Sequence, residues 1–179
     1  MKTLLRTSAL VLTLAAALAA CSKAPLNVPL SDFSIQVDAL VDTAGKVVYP
    51  KNPAKFRDSV VDVKSITLTG NLTYSATAGS NQLTLTFYAS VDDPGNHSGN
   101  CQDYTSFYLC DPAGEKAISQ PKTFTKGEKS PIELGSPNPD VLSTGINQGK
   151  IWIGALVQDS LALDSRLEFT DMVAHVVLF

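Results

Sequence analysis

The sequence predicts an all-β protein, an antiparallel β-sandwich of the immunoglobulin/fibronectin or jelly-roll kind with roughly seven to nine strands; a small soluble β-barrel is the alternative. Three observations carry this. Residues 66–75 and 82–91 alternate apolar side chains with Thr, Asn, Gln and Ser at a period of two, as half-buried strands do. Clusters rich in Pro, Gly, Asn and Asp, such as Pro50-Lys51-Asn52-Pro53, Asp111-Pro112-Ala113-Gly114 and Gly135-Ser136-Pro137-Asn138-Pro139-Asp140, punctuate the chain at short intervals. No segment shows a convincing helical period, and no repeat suggests a propeller or solenoid.

In chain order, the first element is not part of the fold. Lys2 and Arg6 precede an apolar stretch from Ala9 to Ala20, the layout of an export signal, and that stretch is too short to span a bilayer. Leu18-Ala19-Ala20-Cys21 resembles the lipobox of bacterial lipoproteins. The resemblance implies cleavage before Cys21, attachment of acyl chains such as palmitate to that cysteine, and a mature protein held on a membrane of the cell envelope. Ser22, with no Asp behind the cysteine, resembles the sorting signal of lipoproteins passed on to an outer membrane. Three segments follow from this reading: a signal peptide at 1–20, a lipidated tether at 21–31 and one domain at 32–179. The tether holds two prolines and no periodic pattern, and extended it would place the domain on the order of 30 Å from the bilayer.

Within the domain, Phe33–Val37 alternates strictly and Val60–Lys64 is short and β-branched. The runs Ile66–Ser75 and Gln82–Val91 read as one hairpin turning near Ala78-Gly79. Opposed residue numbers would sum to 157, with Gly70 giving room to the ring of Phe87. Ile151–Val157 is almost wholly apolar and should be a central strand, with Trp152 filling core. Residues 166–179 should end the chain as a core strand. The terminal Phe179 resembles the last strand of outer-membrane barrels, but aromatic girdles and ten-residue repeats are missing.

Cys101 and Cys110 are the remaining cysteines, and an oxidising compartment predicts their disulfide. The bond requires Cα atoms within about 7 Å, so residues 102–109 must fold back, turning at Asp103–Ser106. The spacing is not the Cys-x-x-Cys of a redox catalyst.

Removing Lys2 and Arg6 leaves 12 Lys and Arg against 17 Asp and Glu, a net charge of −5 without a basic stripe, which argues against a nucleic-acid partner. Only two histidines exist, neither in a metalloprotease or nucleophile-elbow signature. His97 lies in a loop rich in oxygen ligands, with Asp92, Asp93, Asn96 and Asp103, where the reading is a solvated contact loop; calcium is the alternative, without the EF-hand spacing. A copper site would need His97 to meet His175, completed by Asp171, Met172, Asp103 or a cysteine. A sandwich with one short disulfide outside the cytoplasm is similar in setting to extracellular superoxide dismutases, although their histidine-rich ligand pattern is absent. The expectation is therefore an envelope protein that is not an enzyme and holds no cofactor. It binds another envelope protein or itself, through the loops at 92–103 and 135–149, with metal binding or redox protection as the alternative.

Overall fold

The computed structural model describes residues 25–97 and 99–179; the expected signal at 1–20 and Cys21 lie outside them. Thirteen strands and one α-helix follow in order: β1 (Leu26–Pro29), β2 (Phe33–Val37), β3 (Val47–Pro50), β4 (Ala54–Lys55), β5 (Val63–Ser75), β6 (Gln82–Ser90) and β7 (Cys101–Asp103). Then come β8 (Phe107–Cys110), β9 (Lys116–Ala117), β10 (Lys122–Thr125), β11 (Lys129–Leu134), α1 (Pro139–Gln148), β12 (Lys150–Val157) and β13 (Ser165–Leu178).

They form two antiparallel sheets, the predicted sandwich. One runs β1-β13-β5-β11, with β2 sharing the β1 side of β13. The other runs β10-β6-β12-β3-β8-β7, with β4 beside β12 and β9 beside β6, and it curls like half a barrel. The strand count exceeds the expected seven to nine because several short strands, among them β3, β4, β8, β9, β10 and β11, come from sequence too brief or too polar to stand out as periodic.

Alternation fixes which side chains turn inward. Leu68, Leu72 and Tyr74 of β5 meet Leu83, Leu85 and Phe87 of β6 in one buried core. The Phe87 ring meets Phe169 of the opposite sheet edge-to-face at 5.7 Å and Phe124 at 5.9 Å, tying the layers together. The predicted hairpin, however, does not form. β5 pairs with β13 and β11, whereas β6 pairs with β12, β10 and β9. Residues 76–81 carry the chain from one sheet to the other, with Gly79 in a left-handed conformation at φ 92°. The inward residues are those expected; their hydrogen-bond partners are not. The space over Gly70 is likewise filled by Met172 and not by Phe87, because a bulge at Asp171, φ 56°, turns Met172 onto it.

Three further expectations need correction. Leu26–Pro29, placed in the tether, pairs with Pro-free backbone at Val173–Val176 and buries Val28, so the folded domain begins at Leu26 and not at residue 32. Val60–Lys64 is not a separate strand; its last two residues begin β5. Residues 139–148 form a helix where none was expected. Pro139 opens it, Asp140 lies in the first turn, and Gly149 closes it with φ 73°, its N–H bonding to the Gly145 and Ile146 carbonyls. The helix buries Leu142, Gly145 and Ile146, and a Cβ at Gly145 would press on Ile151 at 2.9 Å. Packing against β5 and β12 outweighs the weak helix propensity of Ser143, Thr144, Gly145 and Asn147.

Candidate functional site

Two places in the described residues combine chemistry with access. The first is on the outer face of the curled sheet, where Val47 and Tyr49 of β3, Tyr108 and Cys110 of β8 and Trp152 of β12 form a second apolar cluster. Trp152 is core filling, as expected, but outside the sheet and not between the sheets; its indole N–H donates to the Lys51 carbonyl at 3.4 Å. The loop after β6 and the turn at residues 111–115 cover this cluster. Gly154 of β12 leaves room for the Tyr49 ring, which lies where a Cβ would be, at 2.6 Å.

Beneath that loop, Glu115 keeps only 4% of its side chain exposed. Its Oε2 accepts the Tyr49 hydroxyl at 2.8 Å, and its Oε1 accepts His97 Nδ1–H at 3.1 Å and Asn100 Nδ2–H at 3.5 Å. Burial, and next the neighbouring Glu115 carboxylate, push the Tyr49 hydroxyl well above its ordinary pKa of 10.0. The folded state therefore holds the Tyr49 proton more tightly than the unfolded chain. That contribution is complete below pH 10.0 and is lost as pH rises above it toward the folded value. Thermal midpoints measured from pH 8 to 11 should fall at the alkaline end, and Tyr49→Phe should flatten the decline. Tyr74 and Tyr108, also raised by burial, should leave part of it. A decline unchanged in Tyr49→Phe would show that Tyr49 is not its source.

The disulfide joins Cys101 to Cys110, directly opposed in the β7–β8 hairpin with Cα atoms 4.0 Å apart, and the chain turns at Tyr104–Ser106 as the geometry required. Several polar groups of the surrounding loop bond within the fold. Asp93 accepts the Gly95 N–H, the Asn96 N–H donates to the Asp93 carbonyl, and Asp103 pairs with Lys51. Asp92 lies at the turn after β6, where its carbonyl accepts the Ser90 hydroxyl. Asp92, Asp93 and Asp103, the carboxylates of the calcium alternative, form no group of three potential ligands among the described residues. Nor do the two histidines meet. His175 faces outward from the other sheet, Nδ1 against Asn27 Oδ1 and Nε2 against Thr69 Oγ1, both at 2.8 Å, so it is a hydrogen-bonded sheet-face residue. Among the described residues the one group of three potential metal ligands is His97, Cys101 and Glu115.

No family model, curated protein or solved structure matches this chain.

The second place is a groove of about 560 Å³ at the open edge of the sandwich, where β10 and β11 diverge. Ile66, Phe87, Ile132 and Leu134 contribute apolar surface inside it, while Ser119–Lys122, Glu133 and Pro139 border it. Its volume lies in the range of ligand-sized sites. At the other end of β10 and β11 the sheets are bridged through Tyr74 and Lys126.

Neither place was visible in sequence as a cluster or a groove, although the expected contact segment 135–149 borders the second. Glu115 ends a turn cluster with nothing to mark it as buried, and the groove is made by short strands from distant parts of the chain. His97 near Cys101 was the legible hint of the first.

Proposed function

We propose that the protein is a lipid-anchored binding module of the cell envelope, a non-enzymatic accessory subunit that holds an apolar segment of a protein partner in the groove between β10 and β11. The groove is the observation that carries this reading: apolar inside, ligand-sized and bordered by charges of both signs at Lys122 and Glu133. A partner segment with apolar side chains inward and polar ones outward suits such a site. In this reading the contact lies beside the 135–149 segment, whose Gly135, Ser136 and Pro139 border the groove.

The anchor belongs to the same reading. The lipobox-like Leu18-Ala19-Ala20-Cys21 places acyl chains five residues before β1. Ser22–Pro25, fully extended, reaches only about 13 Å, so the domain rides close to the bilayer and meets membrane-bound partners more readily than soluble ones. Ser22 favours an outer membrane as its location.

The test is purification of the lipoprotein in mild detergent from its own envelope, as native protein and as Gln120→Trp. Gln120 is exposed and borders the groove, so the bulkier side chain should block the site while changing stability by no more than about 0.5 kcal/mol. A stoichiometric partner that is present with native protein and lost with Gln120→Trp is the expected result. A clean monomer, or a partner retained equally by both, overturns the proposal.

A further inference from the structure

The cluster under the β7–β8 hairpin carries an assignment independent of the groove. His97 Nδ1, Cys101 Sγ and a Glu115 carboxylate oxygen all lie within 4.8 Å of one another. While Cys101 is bonded to Cys110, its sulfur offers no thiolate, and the Nδ1 proton bridges to the carboxylate at 3.1 Å. We propose that reduction of the Cys101–Cys110 disulfide turns this cluster into a divalent-metal site of the zinc class, with the Cys101 thiolate, His97 Nδ1 and the Glu115 carboxylate as ligands and water in the fourth position.

The donor set and spacing fit. Zinc takes sulfur at about 2.3 Å and nitrogen or carboxylate oxygen at about 2.0–2.2 Å, in tetrahedral array. Two such N and O ligands around one ion stand roughly 3.3 Å apart, close to the 3.1 Å now spanned by a hydrogen bond. An ion would replace that proton with little movement of either side chain. The Tyr49 hydroxyl already holds the other carboxylate oxygen at 2.8 Å, as an outer-shell partner does in built metal sites.

The fold also permits the switch. The hairpin is paired through Gln102 with Leu109 and Asp103 with Tyr108, and the Tyr104 and Asp111 N–H groups bond to the Phe107 and Asn100 carbonyls on either side of the bridge. Cys101 therefore stays in place when the bond is cut. Cys101 is partly exposed and borders a depression of about 230 Å³ with Lys46, Asn100, Gln102 and Asp111, whereas Cys110 is fully buried. A dithiol reductant enters there. Its thiolate attacks the Cys101 sulfur, and Cys110 leaves as thiolate and takes up a proton. The second thiol of the reductant then attacks its own sulfur in the mixed disulfide and releases Cys101. Two electrons and two protons pass to the cysteines, and the reductant leaves as a disulfide. On metal binding the Cys101 thiol proton passes to solvent, and the His97 proton moves from Nδ1 to Nε2 by exchange with water, so that the neutral ring ligates through Nδ1.

The experiment titrates the detergent-solubilised mature lipoprotein with Zn²⁺ by calorimetry and with Co²⁺ by absorption, in oxidised form and after reduction with a phosphine. Oxidised protein should bind no stoichiometric ion. Reduced protein and Cys110→Ser should each bind one, with a thiolate-to-Co²⁺ charge-transfer band in the ultraviolet. Cys101→Ser should lose the band, and His97→Ala in the Cys110→Ser background should weaken binding by more than about 100-fold, beyond what loss of an outer-shell partner costs. The assignment is overturned if reduced native protein, folded by circular dichroism, binds no metal, if oxidised protein binds equally well, or if Cys101→Ser keeps the site. Should Cys110→Ser not fold, the reduced native protein decides alone.

Discussion

Deleting residues 172–179 should leave a chain that does not fold. β13 is an inner strand of its sheet, flanked by β5 on one side and by β1 and β2 on the other. The deletion takes away the whole pairing partner of β1 and the partner of β5 from Val63 to Thr69. It also removes Met172, Ala174 and Val176, all buried, and empties the space over Gly70. Lost burial of Met172 and Val176 alone is worth about 3 to 6 kcal/mol, comparable with the 5 to 15 kcal/mol that hold a typical domain together. Unpaired backbone on two strands adds to that cost. Removing Phe179 only, which is 89% exposed, should be nearly neutral. Circular dichroism and urea unfolding of both truncations provide the check. Cooperative unfolding of the longer truncation near the full-length midpoint would disprove the central role given to β13.

Gly154→Ala should cost about 2 to 3 kcal/mol, although it adds one methyl group. The new Cβ would sit 2.6 Å from two atoms of the Tyr49 ring, on a strand whose neighbours β6 and β3 fix its backbone. Tyr49 is wholly buried, and its hydroxyl is held by Glu115, so the ring cannot swing away without stripping a hydrogen bond from a buried carboxylate. The loss should appear as a lower urea midpoint with unchanged slope. A double-mutant cycle tests the cause. In a Tyr49→Ala background the obstruction is gone, and Gly154→Ala should cost little. Equal cost in both backgrounds would place the strain elsewhere.

The disulfide behaves as a staple of ordinary size. Closing so short a loop is worth about 2.5 to 3 kcal/mol in the chain-entropy model, which a sandwich of this extent can lose and remain folded. The proposed metal switch depends on that margin.

How much was legible follows from how local each signal is. The inward faces of β2, β5, β6, β12 and β13 could be read because side-chain alternation is a property of the strand itself. The disulfide could be read because two cysteines remained once Cys21 was assigned to the anchor. The helix could not: its composition favours other conformations, and burial of Leu142, Gly145 and Ile146 against β5 and β12 holds it. Glu115 could not, because burial of one carboxylate depends on a loop folded over it from elsewhere in the chain.

The sequence by itself determined the fold class, the inner faces of the long strands, the hairpin staple and the lipobox-like start, each written in spacing a few residues wide. The tertiary structure decided the rest: that β5 and β6 lie in opposite sheets, that the residues expected to tether begin the fold at Leu26, and that His97, Cys101 and Glu115 come together while His175 stands apart. The physical reason is that a period of two specifies a buried face but not the strand beside it. Partners are chosen by the packing of the whole core, and no single segment contains that information.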